Sequence, residues 1–259
     1  MDKLNRNTDT AEEKNYEAIL YGFLTMRQPH GGPKVNMDTV LLAGFVRLKR
    51  GEQLLELGCA HGAVSLILAK RNPENFITGL DIQPPLVAMA HENAVKNGLE
   101  DRVRFMSGDL KDHRRLFSHQ SFDVIAVNPP YEDPGCGVKS SDTSRRVARQ
   151  GEECTLADVC EAAHFLLRNR GRLYMVMRAV RLAETMELLR RNKLEPRALR
   201  MVHSAPSRGA SVFLVEARRS GGGGVQILPP LYVYDERGEY TEELKSFYAE
   251  RSPASCPLC

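Results

Sequence analysis

The sequence predicts an α/β fold: a seven-stranded, mostly parallel sheet with one antiparallel strand and helices on both faces. Three observations predict it. Short apolar runs of strand length alternate with segments of helical period, which builds βαβ units and hence parallel strands. Glycines fall where the first of these runs gives way to a helical segment, in ELGCAHGAVS at 56–65. The last two runs, PRALRMVH and SVFLVEA, are joined only by the loop SAPSRGA, and a hairpin there sets one strand antiparallel.

Each element follows in order. Residues 1 to about 15 are polar and read as a disordered lead. AILYGFLTMRQPHGGPKVN, 18–36, reads as two short extended segments around a PHGGP turn. MDTVLLAGFVRLK is a helix with Asp38 near its start. EQLLELG is strand, HGAVSLILAKR helix and FITGLD strand. In PPLVAMAHENAVKNGL, Pro84 and Pro85 open a helix and Gly98 closes it. RVRFMSGD is strand, 111–118 a short helix or turn, and FDVIAVN strand. The polar segment 132–152 is a long loop. LADVCEAAHFLLR puts Leu156, Val159, Cys160, Ala163, Leu166 and Leu167 at helical spacing. GRLYMVM is strand, RLAETMELLRRN helix, and the final hairpin follows. The expected organisation is an N-terminal extension at 1–36, one domain at 37–250 and a tail at 251–259.

Bulk properties narrow the class. The 259 residues are 42% apolar and 27% charged, ordinary for a globular protein with a full core. No apolar run is long enough to span a bilayer, and the polar N-terminus is not a signal peptide, so a cytoplasmic location is expected. Six cysteines are scattered, and the tail CPLC is half a zinc site with no second half, so free thiols and no metal are expected. The net charge of +3 is weakly basic, but arginines concentrate in the second half, in RRVAR, RNRGR, MRAVR, LRRNK, RALR and ARR.

The chemistry lies at the expected strand ends. Gly58, Ala60 and Gly62 form a strand-to-helix turn where backbone can approach a ligand at a helix N-terminus. The pattern is not G-x-G-x-x-G, so a pyrophosphate cradle is the weaker reading. Asp81 ends the second strand about 20 residues on, where a carboxylate suits the paired hydroxyls of a ribose. Asp109 ends the third, within reach of a base edge or as a plain helix cap. The fourth ends in VNPPYEDPG. Two prolines stop a sheet ladder, and Asn128 before them is pushed to extended geometry, on a stiff loop at the carboxyl edge where ligands bind in open α/β sheets.

Taken together, Glu-Leu-Gly-x-x-x-Gly, then two aspartates, then NPPY on successive strand ends resemble the class I S-adenosylmethionine-dependent methyltransferases, whose sheet is Rossmann-like. NPPY resembles the subset that methylates planar exocyclic or amide nitrogens. VNMDTVLLAGF, LLELGCAHGAVSLILAKR, GLDIQPPLVAMAHENAVKNGL, VNPPY and ILPPLYVYDERGEYTEEL are similar to the bacterial tRNA adenine-N6 methyltransferase family, across about residues 18–249. The resemblance implies S-adenosylmethionine as cofactor and RNA, in particular tRNA, as partner. It assigns the cofactor to Asp38, Glu56, Gly58, Ala60, Gly62, Asp81, Ile82, Asp109, Leu110 and Asn128. It assigns the target base to Asn128, Pro129, Pro130 and Tyr131. RNA phosphates are expected at Arg145, Arg146 and Arg149, on the long loop. Two departures stand out: Ala60 replaces a usual glycine, and His61 stands where threonine is common. Alternatives with the same motif are a protein-glutamine methyltransferase, a ribosomal RNA guanine-N2 methyltransferase, and an RNA-binding module without turnover.

Overall fold

The computed structural model describes residues 16–30, 32–129 and 154–249. Its main sheet carries seven long strands: β3 (Gln53–Leu57), β4 (Phe76–Asp81), β5 (Val103–Ser107), β6 (Phe122–Val127), β7 (Leu167–Arg178), β8 (Leu194–His203) and β9 (Ala210–Arg219). Their spatial order is β8-β9-β7-β6-β3-β4-β5. β3 to β7 pair in parallel, and β9 inserts antiparallel between β7 and β8, as the helix-free loop before it predicts. Two further strands of two residues, β10 (Gln226–Ile227) and β11 (Leu231–Tyr232), add to the outer side of β8. Their length is below what a periodic pattern can signal.

Alternation along the strands divides the core into two layers. Leu54, Ile77, Phe105, Val124, Tyr174 and Leu214 face one side, and Leu55, Leu80, Ile125, Met175 and Phe213 the other. The first layer is covered by α1 (Met37–Phe45), α2 (Ala63–Arg71) and α3 (Pro84–Lys96). The second is covered by α4 (His113–Leu116), α5 (Leu156–Leu166) and α6 (Leu182–Arg191). α7 (Glu242–Tyr248) completes the first layer, its Phe247 ring lying where a Cβ on Gly44 would otherwise stand.

The N-terminal segment differs from expectation. β1 (Tyr16–Ile19) and β2 (Leu24–Arg27) form an antiparallel hairpin that turns at 20–23, ahead of PHGGP. Leu20, Tyr21 and Gly22 all take positive φ there. Leu-Tyr is not a typical pair for such a turn, which hid it in the sequence. Leu20, Phe23, Leu24 and Met26 are buried in the same core as α1 and α2. Two asparagines four residues apart, Asn93 on α3 and Asn97 at its C-terminal cap, dock the hairpin. Asn97 pairs with the backbone N–H and C=O of Thr25, and Asn93 with those of Arg27, so the amides stand in for a neighbouring strand.

Helix α1 stops at Phe45, four residues short of the expected end, because Val46 turns extended and Arg47 takes the Gly44 carbonyl. At its start Asn36 and Thr39 form a reciprocal cap. The end of α2 is a hub. Lys70 donates to the Phe23 carbonyl, and Arg71 donates to the carbonyls of Phe247 and Ala249, so one helix end holds both the hairpin and α7.

Candidate functional site

Register brings the motif ends together. Leu57, the last residue of β3, pairs with Leu80 of β4 on one side and Val127 of β6 on the other. Asp81 in turn pairs with Ser107 of β5. Gly58, Asp81, Ile82, Asp109, Asn128 and Pro129 therefore emerge along one carboxyl edge of the sheet, the edge at which open α/β folds bind ligands.

The turn between β3 and α2 is built from left-handed backbone: φ is 71° at Gly58, 47° at Ala60 and 88° at Gly62. Gly58 and Cys59 both donate to the Leu80 carbonyl, at 2.8 and 3.0 Å. A side chain on Gly58 would meet nothing within 4 Å, so that backbone faces open space. Gly62 is different. A Cβ there would lie 2.6 Å from Phe105, whose ring also closes on Gly79. Ala60 thus occupies a strained position, where L-residues cost about 1 kcal/mol or more relative to glycine. Its N–H is not lost, because it donates to Asp81 Oδ2 at 2.8 Å.

Asp81 is buried and locked: Oδ2 takes Ala60 N–H, and Oδ1 takes Gln83 N–H at 2.9 Å. Burial raises its pKa, against the lowering effect of these two bonds. A carboxylate offers about four acceptor positions, so two remain for the hydroxyls of a ligand. Beside it Ile82 is 56% exposed, an apolar face at the mouth of the cleft. The set suits a nucleoside: paired acceptors, an open glycine and an apolar platform.

Other expected cofactor residues are placed differently. Glu56 is buried behind the turn, and its carboxylate takes both the N–H and the hydroxyl of Ser65 at the start of α2. Burial pushes its pKa up to about 8, with the Asp81 charge adding to the rise. Its direct role is to tie strand to helix. Asp109 caps a short turn, Leu110–Asp112, by accepting from Lys111 N–H at 2.9 Å, and Leu110 beside it is half-buried. Asp38 lies in the first turn of α1, which packs on α2 and β7. Pro129 is buried and Asn128 half-buried where β6 ends. Pro130, Tyr131, Arg145, Arg146, Arg149 and the CPLC tail lie outside the described residues. Among the described residues no group of three or more His, Cys, Asp or Glu is placed to hold a metal, and no helix is long and apolar enough to cross a membrane.

Sequence reasoning missed three supports of the turn. Ser65 holds Glu56, Phe105 fills the space left by Gly62 and Gly79, and Asn93 donates to the His61 carbonyl at 3.0 Å. A glycine inside strand FITGLD was the available signal for the second, since glycine in a strand marks close approach. His61 itself is buried, with both ring nitrogens unpartnered in the described structure, and burial lowers its pKa to about 4.

A sheet of this order, with a glycine turn after its central strand and an acidic residue ending the next, defines an α/β protein built to hold a nucleoside-containing cofactor. A methyltransferase-domain family model matches residues 48–203. The chain belongs to that family, and it is an S-adenosylmethionine-dependent methyltransferase. It is 27% identical over 217 residues to the tRNA1(Val) (adenine(37)-N6)-methyltransferase of Actinobacillus pleuropneumoniae serotype 7, a match spanning 82% of this chain and 87% of that protein. The protein of the same name from Dickeya chrysanthemi is 29% identical over 189 residues, spanning 73% and 74% of the two chains. Among solved structures, a predicted O-methyltransferase from Agrobacterium tumefaciens superposes with a TM-score of 0.71 at 17% identity, covering 85% of this chain and all of that one, which bears on the fold alone.

Proposed function

We propose that the protein methylates the exocyclic N6 amine of an adenine in tRNA, at position 37, the position that its relatives' names specify. The observation that carries this is the register of β3, β4 and β6, which sets the Gly58 turn and Asp81 beside the start of NPPY on one edge. The relatives' names support the choice of substrate. On this reading the protein works where tRNA matures, in the cytoplasm.

S-adenosylmethionine, when bound, supplies an electrophilic methyl group on a sulfonium. The remaining acceptor positions of Asp81 would hold its ribose, Ile82 and Leu110 would flank its base, and the open backbone at Gly58 would admit its chain. An adenine amine is a poor nucleophile because its lone pair is delocalised, and it is not acidic enough for a general base to help. What the chain supplies is position. The Asn128 side-chain oxygen and the Pro129 carbonyl accept the two amine N–H groups and turn the nitrogen toward the methyl group. Both are preorganised by the prolines that follow. The family resemblance would give Tyr131 the role of stacking on the extruded base, with Pro130 beside it, and Arg145, Arg146 and Arg149 that of contacting phosphates.

The test incubates purified protein and labelled S-adenosylmethionine with RNA from cells lacking the gene, then identifies the methylated nucleoside by mass spectrometry. N6-methyladenosine in the tRNA fraction is expected, with turnover reduced by about 100-fold or more in Asn128→Ala, on the scale of losing one preorganised polar group. Label in protein or in N2-methylguanosine overturns the reading. So does wild-type turnover by the Asn128 variant.

A further inference from the structure

The opposite end of the sheet carries a second site. Three arginine clusters far apart in sequence meet there: Arg170 at the start of β7, Arg197 near the start of β8 and Arg218 at the end of antiparallel β9. With Ser220, Gly221 and Gly222 they line a pocket of about 240 Å³. From this convergence we infer a phosphate-binding site that grips the backbone of the substrate RNA away from the reacting adenine.

The charge balance supports an anion. Arg172 stands directly opposite Arg218 across the β7–β9 pair, a like-charge placement that is unfavourable without a counter-charge. Arg172 is satisfied by Glu52, and Arg218 by Glu216 at 3.0 Å. On the other flank Glu195 pairs in register with Arg218 and lies 3.8 Å from Arg190. Among the described residues Arg170 and Arg197 have no carboxylate partner. Arg197 donates instead to the carbonyls of Gly222, Gly223 and Gly224, which fixes the glycine run as the pocket's rim. Arg218 also keeps its buried Nε without a partner. Arg170 is exposed and takes a left-handed φ of 62°, at the point where the chain enters the sheet. Two guanidinium groups not neutralised by carboxylates, beside a small pocket with exposed glycine backbone, form a phosphate site.

The distance favours RNA over a small phosphate compound. From Arg172 to Arg178, β7 climbs about 20 Å toward the carboxyl edge, at about 3.3 Å per residue. A nucleotide held at one edge does not reach the other, whereas a structured RNA does, since shape-reading RNA contacts extend over many base pairs.

This inference rests on the proposed RNA substrate, and the experiment separates the two. Binding of in vitro transcribed tRNA to the protein is measured over a salt series for wild type, Arg170→Gln and Arg170→Gln/Arg197→Gln, alongside inorganic phosphate as a small-anion probe. Turnover is measured at saturating tRNA. Arg170→Gln is expected to weaken tRNA binding by about 3- to 10-fold and to lower the slope of log K against log salt by about 0.7–0.9, one phosphate contact, with kcat unchanged. The double variant should roughly double the change in slope. Wild-type affinity and slope in Arg170→Gln, a side chain too exposed to affect folding, overturn the inference. So does tight phosphate binding that both variants lose while tRNA binding stays intact, since the site then serves a small anion. Failure of the wild-type protein to bind RNA at all instead removes the substrate reading on which the inference stands.

Discussion

Replacing Asn93 by alanine should damage two things at once. The Asn93 amide is fully buried and makes three bonds: it accepts from Arg27 N–H at 2.7 Å and donates to the Arg27 and His61 carbonyls at 3.0 Å each. At about 1 kcal/mol net per bond, with buried backbone groups left unpaired, the loss is about 2–4 kcal/mol. Asn97 is the control. It holds the same hairpin through Thr25 at 3.1 and 2.8 Å but makes no bond to the cofactor turn. Half-buried, its removal should cost about 1–2 kcal/mol. Urea unfolding gives the two stabilities, and calorimetric titration gives S-adenosylmethionine affinity for each folded variant. Asn93→Ala should weaken cofactor binding several-fold, because the His61 carbonyl is no longer held and the turn from Gly58 to Gly62 loosens. Asn97→Ala should leave it unchanged. Equal effects of the two variants on cofactor affinity, or a stability loss below 1 kcal/mol for Asn93→Ala, would refute the reasoning.

Glu56 gives a pH prediction. Its folded pKa of about 8 lies above the ordinary 4.5, so the folded protein keeps a proton that the unfolded chain releases, and stability falls as pH rises from 4.5 to 8. Glu56→Gln should remove up to about 5 kcal/mol of that fall, and parallel pH–stability curves for the two proteins would contradict it. Gly79→Ala places a methyl 2.5 Å from Phe105 and 2.9 Å from Cys59. It should lower stability by about 1–3 kcal/mol, and thermal melts should show partial recovery when Phe105→Leu is added; no recovery would place the strain elsewhere. Ala60→Gly should relieve the left-handed strain and stabilise by about 0.5–1 kcal/mol, a gain that denaturant midpoints would register, whereas a loss would mean the position is unstrained.

Much of this molecule was legible in its sequence because most elements bury continuous apolar faces. FDVIAV and SVFLVEA are apolar enough to need two covered faces, and Pro84, Pro85 and Gly98 bracket α3 as helix-end rules require. The hairpin turn was hidden because Leu20 and Tyr21 occupy positions that usually signal themselves as Asn or Gly. β10 and β11 were too short for any period, and α1 ended early through a side-chain bond from Arg47. At the site, the ordering of the motifs along the chain carried over to the sheet edge. The inward turn of Glu56 toward Ser65 did not, since which way a strand residue faces at a turn is set by the fold, and the meeting of Arg170, Arg197 and Arg218 did not, since it depends on residues distant in sequence becoming neighbours.

The hub at the end of α2 bears on the order in which the molecule assembles. Arg71 is bonded to residues 176 and 178 positions downstream, while Lys70 holds a hairpin made before it. During synthesis the hairpin, α1 and α2 emerge well before the Phe247 ring that fills the hollow at Gly44. Until then the apolar flank of α1 is open to solvent, and closing so long a loop is slow. Helix α7 therefore acts as a time-stamp. A chain interrupted before it retains the cofactor edge but exposes its core, and is the species that chaperones and proteases should recognise as unfinished.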